Sequence, residues 1–223
     1  MQIKTYADRE MMMIQLADTI AGELNGALMT HDFASLAVPG GTTPGPIFDS
    51  LCSASLHWDR VHVMLTDERW VPETSQRSNT RLLRQRLLVE RAAAATYVPL
   101  YADAPVPEDC LDELSAAVLA DLPLSVLLLG MGADMHTASL FPGADRLDAA
   151  LADDAPPLMA LRAPGAPEPR ITLTAPVLRG AMSTHVVIMG AEKRAAIERA
   201  HHLSPSEAPI AVVLGQATIH WAE

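Results

Sequence analysis

The sequence predicts an α/β fold: a mainly parallel sheet with helices on both faces. Three observations carry this expectation. Short apolar runs alternate along the chain with segments whose apolar residues recur every 3.6 positions. One run, Ser125–Leu129 (S-V-L-L-L), is almost continuously apolar, as a strand buried on both faces must be. Several runs stop at glycines or a charge cluster, where such sheets usually carry their ligand loops.

The elements follow in chain order. Residues 2–5 read as a short strand. Residues 7–29 read as a helix, with Met13, Leu16, Ala17, Ile20, Leu24 and Leu28 on one stripe. Ser35–Val38 is a strand that stops at Pro39-Gly40-Gly41. Pro44 and Pro46 suit the first turn of the next helix, where a missing N–H does no harm. Ile47, Phe48 and Leu51 continue it. Val61–Thr66 is a strand that runs into Asp67, Glu68 and Arg69.

Ser78–Val89 and Pro107–Leu122 read as helices, the second with Glu108 and Asp109 in its first turn as the helix dipole prefers. Ser125–Leu129 ends at Gly130-Met131-Gly132. Residues 142–170 carry six prolines and are expected to be mostly loop. Ile171–Thr174 and Thr184–Met189 are strand candidates. Gly190 follows the second, then a helix from Ala191 to about Ala200. Thr218–Trp221 closes the pattern. No linker divides the chain, so residues 1–223 are expected to form one domain.

Composition excludes several classes. Apolar residues make up 49% of the 223, too many for a disordered chain. No run of roughly 18 apolar residues could span a bilayer, and Asp8, Arg9 and Glu10 interrupt the start before any signal-like stretch. A cytoplasmic protein with no membrane association is expected. Two cysteines, Cys52 and Cys110, are too few for a disulfide framework or a cysteine zinc site. No histidine spacing suggests a metal, so no metal or cofactor is expected. A net charge of −11 argues against nucleic acid as a partner. Lys4 and Lys193 are the only lysines. A site for an anion must therefore be a local cluster of donors in a repelling background.

Four loops at the predicted strand ends offer such donors. Pro39–Pro44 (P-G-G-T-T-P) brings glycine N–H groups, two hydroxyls and a helix start to one place, which suits a phosphate. It equally suits a tight turn with a threonine cap. Asp67-Glu68-Arg69 falls on the ligand edge, where Arg69 can fork onto a phosphate and Asp67 can orient a hydroxyl. An exposed charge triplet is also an ordinary solvated loop. Ser78, just downstream, reads as a helix cap.

In Gly130–Thr137 (G-M-G-A-D-M-H-T), Asp134 stands two residues before His136. That spacing can fix the tautomer of an imidazole able to act as a general base near neutrality; a structural histidine is the alternative. The other seven histidines show no comparable context. Lys193, three residues past Gly190, lies in the first turn of a helix. A lysine is disfavoured there unless it faces an anion, although a solvated surface lysine fits the spacing as well.

Together these segments resemble the 6-phosphogluconolactonase family. The matching pieces are Val38–Pro44, Leu65–Arg69 with Val71-Pro72 and Ser78-Asn79, Leu129–Gly143, Pro169–Thr174 and Gly190–Lys193, in the family's order. The stretch His136–Gly143 (H-T-A-S-L-F-P-G) is the most specific. The resemblance implies a Rossmann-like α/β fold of the NagB/RpiA/CoA transferase-like type, shared with glucosamine-6-phosphate deaminases. It implies hydrolysis of 6-phospho-D-glucono-1,5-lactone in the oxidative pentose phosphate pathway, with no cofactor.

By the same resemblance, His136 is the base that activates water, with Asp67 and Asp134 orienting the base or sugar hydroxyls. Gly40, Gly41, Thr42, Arg69, Asn79, Arg170 and Lys193 would bind the substrate and its phosphate. Oligomeric state, monomer or dimer, is not legible. One departure stands out: Met135 replaces the glycine usual before the histidine. If φ is positive there, the cost is on the order of 1–2 kcal/mol.

Two rivals remain. The deaminases usually carry a glutamate five residues after the loop histidine, where this chain has Phe141, and an aromatic where it has Arg69. A sugar-phosphate-binding regulator without turnover is the other, and Met135 is its only support.

Overall fold

In the computed structural model, which describes residues 1–223, ten strands and seven α-helices alternate. Seven strands form one parallel sheet in the order β1 (Gln2–Thr5), β10 (Thr218–Ala222), β9 (Ser183–Met189), β6 (Val126–Gly130), β2 (Ala34–Val38), β3 (Val61–Leu65), β5 (Thr96–Val98). Successive residues of a strand point to opposite faces. Every residue of β2 is buried, and so are the first four of β6, so both faces of the sheet are covered. The buried apolar residues join in one cluster of 58, with Trp58 and Phe48 among its largest members.

The helices start and stop for local reasons. In α1 (Arg9–Leu28) the Asp8 side chain accepts the Met11 N–H at 2.7 Å, and Leu16, Ala17, Ile20, Leu24 and Leu28 form the buried stripe. Pro44 precedes α2 (Gly45–Leu51), and Pro46 lies in its first turn. Ser78 caps α3 (Asn79–Arg86), accepting the Arg81 N–H at 3.2 Å. That helix stops short of Val89, which is extended. The helix expected over Pro107–Leu122 is broken at Cys110, whose ψ of 12° is not helical. One 3-10 turn precedes it and α4 (Leu111–Leu119) follows.

The chief difference from expectation is a second sheet. Asp67–Arg69 is a strand, β4, antiparallel to β8 (Arg170–Leu173), which pairs in turn with β7 (Leu158–Leu161). The proline-rich stretch therefore holds a strand and a short helix, α5 (Leu147–Leu151). Its prolines flank β7 rather than enter it, so no ladder hydrogen bond is lost. Only Thr66 separates β3 from β4. Its N–H donates to Val38 O at 2.9 Å and its carbonyl accepts the Leu173 N–H at 2.9 Å, so one residue ties the two sheets together.

This topology places the site. From β2 the chain order runs one way to β3 and β5, and the other way to β6, β9 and β10. The crevice between the β2 and β6 ends is the switch point where such sheets bind ligands. The loops after β2 and β6 meet there. The small sheet and the start of α7 (Gly190–Ala200), beyond the β9 end, close its flanks.

Candidate active site

A cleft of about 410 Å³ opens at that switch point. Its lining gathers Gly40 and Gly41 from the β2 loop, Asp67 and Arg69 from β4, and Asn79 from α3. Gly132 and His136 come from the β6 loop, Arg170 from β8 and Lys193 from α7. Thr42 is not in this lining. Its side chain is exposed, and Thr43 borders the cleft instead, because the loop turns at Gly41 with φ +85°.

Asp134 and His136 form a pair. Nδ1 of the imidazole and Oδ1 of the carboxylate stand 2.5 Å apart, and the same oxygen accepts the His136 backbone N–H at 3.2 Å. Burial pushes the Asp134 carboxyl up. The hydrogen bond from His136 and the attraction of its ring outweigh that, so its pKa lies below the usual carboxylate value. With Asp134 ionised, Nδ1 carries the proton and Nε2 is left as the acceptor.

Backbone geometry makes this pair possible. A β-carbon on Gly132 would stand 2.1 Å from His136 Nδ1 and 2.3 Å from Asp134 Oδ1. Met135 does adopt φ +65°, the left-handed conformation a glycine would take without strain. Its carbonyl accepts the Ile210 N–H at 3.1 Å, and its side chain packs on the core, which holds the strained residue in place.

Of the pair, only His136 lines the cleft, and three cations line it too. Arg69 donates to Asn79 Oδ1 at 2.9 Å and to the Arg77 carbonyl at 2.7 Å. Arg170 approaches Asp67 Oδ2 at 3.9 Å. The Nε atoms of both arginines are buried without a partner. Burial lowers the Arg170 pKa; Asp67 partly restores it and Arg69 depresses it further. The Lys193 ammonium donates to the Met131 carbonyl. Burial lowers its pKa too, against the pull of Asp134 and Glu192.

Three supporting residues escaped the sequence reading. Glu68, with no exposed surface, lies between two site residues. It accepts the N–H groups of Arg69, Asn79 and Thr80 at 2.7, 2.8 and 2.7 Å, and the hydroxyls of Ser78 and Thr80 at 3.0 and 2.8 Å. These five donors replace water and let the carboxylate stay buried. Ser139 donates to Asp67 Oδ2 at 2.6 Å and, through its N–H, to Thr172 Oγ1 at 3.1 Å. Thr137 donates to the Gly130 carbonyl at 2.9 Å.

Two histidines expected to lack a carboxylate neighbour have one: His62 meets Asp121 and His185 meets Glu23, each at 2.7 Å. Neither lines the cleft. No group of three or more His, Cys, Asp or Glu side chains converges as a metal centre requires, and no helix is long and apolar enough to cross a membrane.

Comparison with known proteins agrees with this geometry. Residues 7–221 match the family described as glucosamine-6-phosphate isomerases/6-phosphogluconolactonase. The chain is 41% identical to a 6-phosphogluconolactonase of Mesorhizobium japonicum, over 97% of this chain and 93% of the relative. It is 36% identical to that of Caulobacter vibrioides, over 100% and 97%. A crystal structure of a 6-phosphogluconolactonase from Shewanella baltica superposes with a TM-score of 0.95 at 32% identity, over 100% of this chain and 97% of that one.

Proposed function

The chain belongs to the glucosamine-6-phosphate isomerase/6-phosphogluconolactonase family, and we propose that it hydrolyses 6-phospho-D-glucono-1,5-lactone to 6-phosphogluconate. One observation carries the reading. A hydrogen-bonded carboxylate–imidazole pair brings its imidazole into one cleft with three cations, Arg69, Arg170 and Lys193, in a protein of net charge −11. Cations gathered against the overall charge suit a dianionic phosphate, and a neutral imidazole beside them suits activation of water.

In this mechanism the phosphate sits against the Gly40-Gly41 backbone, Arg69, Arg170 and Lys193. Asn79, bonded to Arg69, helps to position it. Water attacks the lactone carbonyl carbon while His136 Nε2 takes its proton. Asp134 holds Nδ1–H and stabilises the imidazolium that forms. The tetrahedral oxyanion draws on the nearby guanidinium charge. His136 then returns the proton to the ring oxygen as the C–O bond breaks, which yields the open carboxylic acid; this loses its proton to solvent to give the carboxylate. Asp67, anchored by Ser139 and Thr66, orients hydroxyls. Phe141 stands where the deaminases of this family usually carry a glutamate and cannot serve their proton transfer.

Lactone hydrolysis above the spontaneous rate, measured in chelator for wild type and His136→Ala, tests the reading. Loss of at least about 100-fold is expected. A near-normal variant removes the imidazole from the mechanism, and an inactive wild type removes the activity.

A further inference from the structure

The His136 ring has a second neighbour besides Asp134. The ring centroids of His136 and Phe141 lie 4.1 Å apart at an interplanar angle of 31°. The Arg170 guanidinium carbon lies 5.6 Å from the centroid of the same phenyl ring. One aromatic side chain thus touches both the proposed base and one of the proposed phosphate-binding cations.

The chain builds this contact deliberately tight. Thr137 and Leu140 form an antiparallel bridge, with the Leu140 N–H donating to Thr137 O at 3.0 Å, and Ala138 turns at φ +49°. The turn sends Phe141 back against the side chain five residues earlier. It is pinned by the hydroxyl of Thr137 on the large sheet, by Ser139 on the small one, and by the fully buried Leu140.

We infer that Phe141 is a positioning residue for the reaction proposed above: its ring fixes the plane of the His136 imidazole while Asp134 fixes the edge. One hydrogen bond to Nδ1 restrains one end of the imidazole and leaves the ring free to tilt about that contact. The phenyl ring, packed at 31° to the imidazole, limits that motion, so Nε2 keeps a constant aim at the water it deprotonates. The phenyl face also carries a quadrupole that attracts a cation, so the imidazolium formed in flight gains from the contact. An aliphatic side chain of similar size fills the space but supplies neither the flat face nor the quadrupole.

The inference rests on the lactonase reading, and the tests separate the two. Phe141→Leu and Phe141→Tyr are compared with wild type in the full chain. In Phe141→Leu, kcat is expected to fall roughly 10-fold with KM within about threefold, whereas Phe141→Tyr keeps kcat within about threefold. In a His136→Ala background, Phe141→Leu is expected to change the residual rate less than about twofold, because a positioning residue has nothing left to position. By NMR, the ring protons of His136 are expected to lose their aromatic ring-current shift in Phe141→Leu and retain it in Phe141→Tyr.

An unchanged kcat, a loss confined to KM, or a full loss that persists without His136 overturns the inference. So do His136 resonances that ignore the Leu replacement. If wild type fails to hydrolyse the lactone, the lactonase reading falls, and the NMR arm decides the ring contact alone.

Discussion

Arg69 and Arg170 are direct cross-strand partners on β4 and β8, and each keeps a buried Nε that meets no acceptor. Like charges placed opposite each other on a sheet destabilise it. A bound phosphate ester supplies the counter-charge. The product, 6-phosphogluconate, is therefore expected to stabilise the fold. At about 100 times Kd the linkage amounts to about 2.7 kcal/mol, or a rise of roughly 5–10 °C in Tm. Thermal melts with and without product check this. Arg170→Met is expected to raise the Tm of the free protein and shrink the ligand-induced shift; an Arg170→Met protein of lower Tm contradicts the account.

Lys193 separates binding from chemistry. Charge-assisted hydrogen bonds contribute about 1.5–3 kcal/mol each. Lys193→Met is therefore expected to lower kcat/KM for the phosphorylated lactone about 10–100-fold, mainly through KM. For glucono-1,5-lactone, which lacks the phosphate, the variant and wild type are expected to differ little. Equal losses on both substrates would place the ammonium at the carbonyl rather than at the phosphate.

Gly132 is irreplaceable for a steric reason. A β-carbon there collides with both members of the Asp134–His136 pair. Gly132→Ala is expected to cost at least about 100-fold in kcat, comparable to loss of the base itself, while circular dichroism and Tm stay near wild type. An active Gly132→Ala enzyme would mean that the pair need not hold its geometry during turnover.

A buried relay away from the cleft is expected to make the fold sensitive to acid. Tyr6 bonds His220 Nδ1 at 2.6 Å, His220 Nε2 meets His185 Nδ1 at 2.9 Å, and His185 Nε2 meets Glu23 at 2.7 Å. Burial, with His185 and Lys4 nearby, lowers the His220 pKa to about 3, against the pull of Glu23. In the unfolded chain the ring binds a proton near pH 6.5. The unfolded state therefore holds more protons between about pH 6.5 and 3, and stability falls as pH falls through that window. The slope is up to about 1.4 kcal/mol per pH unit. Urea melts at pH 7, 6 and 5 measure it, and His220→Gln is expected to flatten the slope. A slope that His220→Gln leaves unchanged assigns the acid sensitivity elsewhere.

The sequence exposed most of the large sheet but only one strand of the small one, at Ile171–Thr174, for reasons visible in particular residues. The loops at Gly40, Gly130 and Gly190 stood out because each follows a run apolar on both faces. Asp67-Glu68-Arg69 looked like a loop because three charges rarely make a strand, yet their ladder partners, Arg170–Thr172, lie about a hundred residues away. Leu158–Leu161 was hidden by the prolines around it. Thr96–Val98, at the sheet edge, is too short to show a period.

The same limit applies to the site. Asp134 and His136 are only two positions apart in sequence, so their pairing was legible. Glu68 bonds residues ten to twelve positions on, and His220 meets His185 across two neighbouring strands, so neither role leaves a local trace. The positive φ at Met135 was foreseeable only because a glycine was expected there.

The junction at Thr66 makes this chain sensitive to register in an unusual way. Side chains along β4 alternate, so Asp67 and Arg69 look into the cleft while Glu68 looks under α3. Insert a single residue at the joint and the parity inverts: the buried acid swings out toward the incoming phosphate, and two polar heads are driven into a pocket tailored for one carboxylate. Evolution can lengthen many of this protein's surface connections freely, but here the count of residues is itself part of the chemistry.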